Sequence, residues 1–333
     1  MIVDVHTHVI VPEITRDGGG EEPWRPSVRW EDGAQLIEFG GQTLRSATRE
    51  FVDIDRILEE QARSGVEHVV LSPWVALLPY ALDAGEALAV CRLQNDALVA
   101  IVAAHPERVS ALAAVPLQDP AAAAEELESV MAVPGMVGVE VAASVRGEYL
   151  GDDRFLPFWE AAERAGALVF VHPTARGIDV AALGEYYLWN TVGNPLQTAI
   201  AGAHLVMSGV LERHPRLRVV LAHGGGALPS VRGRLRHAHT FQPQARARLN
   251  DPPDESLRRL YYDTVTHDAA LLRDLVGFAG ADHVLLGSDY PFDMGTVRPA
   301  EEVRELGLPP SDEAAVLGGN VERLIGLGER TAR

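Results

Sequence analysis

Short apolar, β-type runs alternate with amphipathic stretches along almost the whole chain, and no other feature constrains its fold as strongly. Eight runs read as strands, at residues 2–6, 66–72, 109–115, 136–141, 168–172, 218–223, 260–265 and 283–288. In Val169-Phe170-Val171, Val219-Val220-Leu221-Ala222 and Val284-Leu285-Leu286 the apolar residues follow one another without alternation, the pattern of parallel strands buried on both faces. Eight helix candidates accompany them, at 53–64, 83–105, 120–132, 154–165, 195–213, 227–248, 269–279 and 311–326. Asp53 and Ser311 supply N-cap signals, Pro120 and Pro195 first-turn signals. Eight strands alternating with eight helices predict an α/β fold, a (β/α)8 TIM barrel. A doubly wound open sheet is the rival. It is set aside because no GxGxxG follows the first strand, and Gly224-Gly225-Gly226 follows a histidine rather than preceding a phosphate-binding lysine.

The 333 residues read as one barrel domain. Residues 12–50, rich in Gly, Trp, Arg and Glu and without clear period, read as a small insertion after strand one. Loops at the carboxyl ends of barrel strands face the active site, so this insertion is expected over the barrel mouth.

Charge and composition narrow the function classes. With 29 basic against 47 acidic residues the net charge is -18, which argues against nucleic acid and anionic membrane as partners, since both need surplus positive charge. A single cysteine, Cys91, excludes an internal disulfide and any CxxC zinc or redox site. No uninterrupted apolar run reaches the roughly 18 residues of a membrane span, and the first residues show no leader pattern, so a cytoplasmic location is expected. Every basic residue is arginine, a bias that GC-rich codon usage accounts for. Its chemical consequence is independent of cause: no Schiff-base lysine, no Walker lysine and no carbamylated lysine bridging two metals.

The unusual polar residues collect at one end of the expected barrel. His6 and His8 end strand one, His172 strand five, His223 strand six and Asp289 strand eight. Residues i and i+2 on a strand point to the same side, so His6 and His8 can both face inward. Two imidazoles from one strand, a third from across the barrel and a carboxylate from strand eight can converge on one divalent cation. That donor set suits zinc, and also manganese or iron. His68, His105, His204, His214 and His283 fall at helix ends, helix faces or a strand's start and read as structural. His237, His239 and His267 fall nearer the mouth.

The motifs Asp4-Val5-His6-Thr7-His8, Val171-His172-Pro173, Ala222-His223-Gly224-Gly225-Gly226 and Gly287-Ser288-Asp289-Tyr290-Pro291-Phe292 resemble those of the amidohydrolase-related decarboxylases. The resemblance is strongest to their aminocarboxymuconate-semialdehyde branch, and it runs nearly end to end. It implies a metal-dependent enzyme with His6, His8, His172 and Asp289 as ligands of a single divalent ion, zinc first and manganese as the alternative, and no organic cofactor. It implies His223 as the catalytic histidine beside the metal-bound water, Arg45 as the arginine that holds the substrate carboxylate, and Trp189 as an aromatic near the pocket. Arg234 stands where the family carries an arginine reaching a neighbouring subunit's site, which implies a homodimer; Arg232 and Arg236 flank it. Thr174-Ala175 stands where the muconate-type enzymes carry an aromatic, and 12–50 and 175–187 match no member closely, so the substrate stays open.

The function expected is a mononuclear, non-oxidative decarboxylase of an aromatic or unsaturated, muconate-like carboxylic acid, with His223 moving the proton and the arginines orienting the small-molecule acid. The alternative is a hydrolase or hydratase of an amide, lactone or activated double bond on the same site, since function lives in the pocket rather than the fold. A catalytically idle binding barrel would show decayed ligand positions, and all five are intact.

Overall fold

Strands that are apolar on successive residues need cover on both faces, and the chain supplies it by returning through helices between them. The computed structural model describes residues 1–16, 22, 24–32, 34–45, 49–174 and 177–327. Among these the strands are β1 (Val3–Val9), β2 (Ser27–Glu31), β3 (Ala34–Phe39), β4 (Gln42–Arg45), β5 (His68–Pro73), β6 (Val109–Ala113), β7 (Met136–Ala142), β8 (Ser144–Val145), β9 (Glu148–Tyr149), β10 (Leu168–His172), β11 (Arg218–Leu221), β12 (Tyr261–Asp263) and β13 (Val284–Leu285). Eight of them pair in the order β1-β5-β6-β7-β10-β11-β12-β13, every ladder parallel. The Val5 N–H donates to Leu286 O at 2.9 Å and the His8 N–H to Tyr290 O at 2.8 Å, so the last strand's continuation returns to the first. The (β/α)8 barrel is present.

One apolar cluster fills the barrel, with Val3, Val5, Val70, Leu112, Phe170, Val220 and Leu285 packed on Val321 and Leu324 of the helix Asn320–Ile325. A larger one, including Leu98, Phe158, Trp159, Leu205 and Leu275, lies between strands and helices. A register shift between Asp4 and Thr7 breaks the simple alternation of β1. Val3 and Val5 join the interior, while Asp4 and Thr7 turn to the helix Ile54–Arg63, where Gln61 Nε2 donates to Asp4 Oδ2 at 3.0 Å and Thr7 Oγ1 donates to the same oxygen at 2.9 Å. Beyond the shift His6 comes back inside, its ring 4.8 Å from Phe170. Such a bulge re-aims side chains at a site.

Several boundaries differ from expectation. β1 continues to Val9, so the two histidines lie within the strand rather than at its end. β12 and β13 are shorter than expected, because beyond them the Thr264 side chain takes over the pairing: its Oγ1 accepts from the Gly287 N–H at 3.0 Å and donates to Gly287 O at 3.2 Å. The helix expected over 195–213 is two, Asn194–Met207 and Val210–Arg213. They break at Gly209, whose φ of 73° suits glycine and where a Cβ would lie 2.3 Å from Arg248 O. The helix expected to reach 248 ends at Phe241, ahead of Pro243. The last one is Pro310–Ala314, a π-helical turn Ala315–Gly319 and Asn320–Ile325. The longest helix, Ala84–Ala104, is long and apolar enough to cross a membrane by length and composition, although polar residues such as Arg92, Asn95 and Asp96 interrupt its apolar run. Here it buries Val90, Cys91, Leu98 and Val102 in the core.

Within 12–50, residues 17–21, 23, 33 and 46–48 lie outside the described residues. The rest contains a short helix, Pro12–Thr15, and a separate antiparallel sheet β2-β3-β4. Ile37 and Phe39 of β3 are buried and anchor that sheet to the core.

Candidate metal centre

His6, His8, His172, His223 and Asp289 meet inside the carboxyl end of the barrel. His6 Nε2 and His8 Nε2 are 3.0 Å apart, and Asp289 Oδ1 lies 3.2 Å from the first and 3.3 Å from the second. Three donors bound to one cation at about 2.1 Å each would sit roughly 3.0–3.4 Å apart in octahedral or tetrahedral geometry. The observed spacing fits. One donor atom from each of His6, His172, His223 and Asp289 also falls within 4.8 Å of the other three. The His172 ring centre is 5.2 Å from that of His6 and 5.0 Å from that of His8.

The hydrogen bonds around these rings decide which nitrogen faces the centre. His6 Nδ1 lies 2.7 Å from Asp263 Oδ2, and His172 Nδ1 lies 2.7 Å from Pro173 O. Both partners accept only, so both Nδ1 atoms carry a proton, and Nε2 of each ring is the nitrogen that faces the centre and would give its lone pair to a cation there. Ser72 Oγ is 3.1 Å from His8 Nδ1, with Glu140 Oε2 at 3.6 Å. His172 Nε2 and Asp289 Oδ1 are buried and have no hydrogen-bond partner. A buried acceptor without a donor is costly, and a cation between them removes the cost. The residues present therefore fit a divalent ion.

Electrostatics agree. Burial, reinforced at His172 by the neighbouring imidazoles, lowers the pKa of His8 and of His172 and keeps both rings neutral. Burial would also lower His6, but the Asp289 carboxylate, and after it Asp263, more than offset this and hold His6 well above its usual value. Asp289 is itself held well below the carboxylate range, because attraction to His6 and the His223 contact at Oδ2 outweigh its burial. The centre draws positive charge.

A cavity of about 630 Å³ opens onto this cluster, lined by Arg45, Trp74, Tyr187, Trp189, His267 and Phe292 together with His172, His223 and Asp289. Arg45, at the end of β4, has no hydrogen-bond or ion-pair partner among the described residues. Trp189 begins the π-helical turn Trp189–Gly193 and packs edge-on to Tyr187 at 4.9 Å between ring centres. Phe51, Trp74 and Phe292 form an aromatic wall, Phe292 reaching His8 at 5.3 Å. Arg234 is exposed on the helix Leu228–Phe241 and does not line this cavity. Of the histidines expected near the mouth, His267 lines the cavity; His237 packs on Phe241 and His239 on Leu249 O.

Two acids that the sequence reading passed over stand behind the cluster. Asp263 ends β12 and holds His6, and Glu140 on β7 faces His8. Burial pushes the Glu140 carboxyl up to about 8. The signal was available: each is a lone acid inside a strand that is otherwise apolar or aromatic.

The sequence model of the amidohydrolase family matches residues 3–327. The chain belongs to the amidohydrolase family. This amidohydrolase is 28% identical over 330 residues to 2-amino-3-carboxymuconate-6-semialdehyde decarboxylase of Dictyostelium discoideum, covering 98% of this chain and 91% of that protein. It superposes on 5-carboxyvanillate decarboxylase from Sphingomonas paucimobilis with a TM-score of 0.81 and 26% identity, over 98% of both chains. Dihydroxybenzoic acid decarboxylase from Polaromonas sp. JS666, solved with bound manganese and 2-nitroresorcinol, shares the fold at a TM-score of 0.80 and 23% identity, over 98% of this amidohydrolase and 97% of that chain.

Proposed function

We propose that this amidohydrolase is a mononuclear, divalent-metal-dependent, non-oxidative decarboxylase of an aromatic or unsaturated carboxylic acid. The observation that carries the reading is one cavity that joins the inward-facing donor cluster to an unpaired arginine and aromatic walls. The relatives with printed activities are decarboxylases of acids of this kind.

His6, His8, His172 and Asp289 would hold the ion, which would supply a Lewis acid to draw charge from the substrate's oxygens. Arg45 offers a planar fork to the carboxylate, and Trp74, Trp189 and Phe292 give a flat, apolar bed to an unsaturated acid. The reaction breaks one C–C bond: its electron pair stays with the substrate carbon, a proton joins that carbon, and CO2 leaves. His223 is the group placed to move that proton. Its Nε2 is 3.3 Å from Asp289 Oδ2, and its Nδ1 is buried without a partner.

Zinc is the ion proposed, with manganese, present in the Polaromonas neighbour, as its competitor. A homodimer is proposed in which Arg234 enters the neighbouring site. Arg232 is engaged by Asp274 at 2.9 Å and Arg236 by Asp254 at 3.1 Å, which leaves Arg234 the arginine of the three without a partner among the described residues.

The deciding experiment is metal analysis of the purified protein paired with a CO2-release screen over aromatic and muconate-type acids. About one metal per chain with CO2 from a panel member supports the reading. Metal with hydrolysis products and no CO2 replaces it with a hydrolase, and no metal after reconstitution overturns the site.

A further inference from the structure

Asp263 makes more contacts with the site than any ligand needs for itself. Its side chain is fully buried, and it accepts four hydrogen bonds. Oδ2 takes His6 Nδ1–H at 2.7 Å and the His223 backbone N–H at 2.9 Å; Oδ1 takes the Gly224 N–H at 2.7 Å and the Val265 N–H at 3.1 Å. We propose that Asp263 is the positioning residue that simultaneously sets the tautomer of His6 and the left-handed turn that aims His223, so that one carboxylate aligns a metal ligand with the proton-moving group. The inference rests on the metal-site reading above.

Two features make this carboxylate hard to replace. First, the successive N–H groups of His223 and Gly224, at φ 57° and 60°, close around it as an anion-binding nest. The turn's other hydrogen bonds are internal, from the Gly225 N–H to Ala222 O at 3.1 Å and from the Gly226 N–H to His223 O at 2.8 Å; the His223 ring meets Asp289 at 3.3 Å and packs on His6 and His172, and its Nδ1 has no partner. Second, an ionised carboxylate accepts on both oxygens, and all its accepting positions are used here. An asparagine has one accepting oxygen and an NH2 group. Whichever way its amide is turned, the NH2 confronts either His6 Nδ1–H and the His223 N–H, or the N–H groups of Gly224 and Val265. Asp263→Asn keeps the shape and breaks half of the arrangement.

The test is Asp263→Asn, with two readouts that do not depend on turnover. The apoprotein's metal affinity, measured by chelator competition, is expected to fall about 10- to 100-fold. In nitrogen-15 NMR of histidine-labelled apoprotein, the wild type should show a hydrogen-bonded Nδ1–H on His6, assigned by its loss in His6→Gln, and Asp263→Asn should lose or shift it. Once loaded with metal, the variant should lose kcat while KM stays within a few-fold. An NMR signature of wild-type His6 with Nδ1 unprotonated overturns the proposal, whether or not the variant folds. So does a folded variant with unchanged metal affinity and unchanged His6 signals. If wild-type protein takes up no metal, the function proposed above fails, and the His6 signal alone still decides the role of Asp263.

Discussion

His223 and Asp289 reach each other across the barrel mouth, Nε2 to Oδ2 at 3.3 Å, and both stand on left-handed backbone, at φ 57° and 60°. Left-handed non-glycine residues of this kind each cost about 1–3 kcal/mol and survive where the surroundings over-determine them. Here hydrogen bonds do so: the Asp289 N–H donates to His6 O at 2.9 Å, and the His223 N–H to Asp263. Both side chains are thereby turned out of their strands' direction toward one point. If His223 moves the proton, His223→Ala should lower turnover by about 100- to 10,000-fold. Metal content should stay near that of the wild type. Metal-free His223→Ala protein would instead make this residue a ligand, a role its place in the four-donor group also allows.

Asp289 carries the one carboxylate among the proposed ligands. Asp289→Ala should purify with little metal and resist reconstitution. In the wild type, metal at 100 times its Kd adds about 2.7 kcal/mol to stability, so chelation should lower the thermal midpoint measurably. Asp289→Ala should start near that lower midpoint and show no further drop with chelator. Full occupancy in this variant would remove Asp289 from the ligand set.

Arg45 offers the cavity its unpaired guanidinium. Losing a hydrogen-bonded charge contact costs about 1.5–3 kcal/mol, so Arg45→Ala should raise KM by roughly ten- to a hundredfold with metal content unchanged. Arg45→Lys should recover only part of this, because an ammonium makes no bidentate contact. An unchanged KM in both variants would place the substrate's carboxylate elsewhere.

Two glycines should respond in opposite directions. A Cβ at Gly138 on β7 would lie 1.9 Å from Leu168 O of the neighbouring strand β10, backbone that cannot move without opening the barrel. Gly138→Ala should therefore destabilise by about 1–3 kcal/mol or more. Gly233, in the exposed helix Leu228–Phe241, has nothing within 4 Å of the same atom. Gly233→Ala should stabilise by about 0.5–1 kcal/mol. Thermal denaturation of the pair checks both signs.

The barrel and its donor residues were legible because they depend on local pattern: apolar runs mark the strands, and His172 ends the apolar run Leu168–His172. What surrounds the donors was not legible in the same way. Asp263 and Glu140 work through partners far away in the chain, and nothing in their immediate neighbours announces His6 or His8. The shift in β1 was equally hidden. Strict alternation would put His6 on the face opposite Val3 and Val5, and only the pairing with β5 shows how all three come inside. The sheet within 12–50 was missed because its strands lack a common period: Ile37 and Phe39 are buried while β2 is mostly exposed. The broken helices answer to backbone contacts at Gly209 and Gly318 that propensity does not register.

Arg45 belongs to a sheet that shares no ladder with the barrel, whereas His6, His8, His172, His223 and Asp289 grow from barrel strands or the turns that follow them. The part that would grip the acid and the part that would hold the cation are thus separate mechanical units. Within that sheet β2 and β4 are mostly exposed and open to change, while Ile37 and Phe39 of β3 stay fixed in the core. A change of diet for such an enzyme is a matter of refitting its doorway while the hearth stays lit.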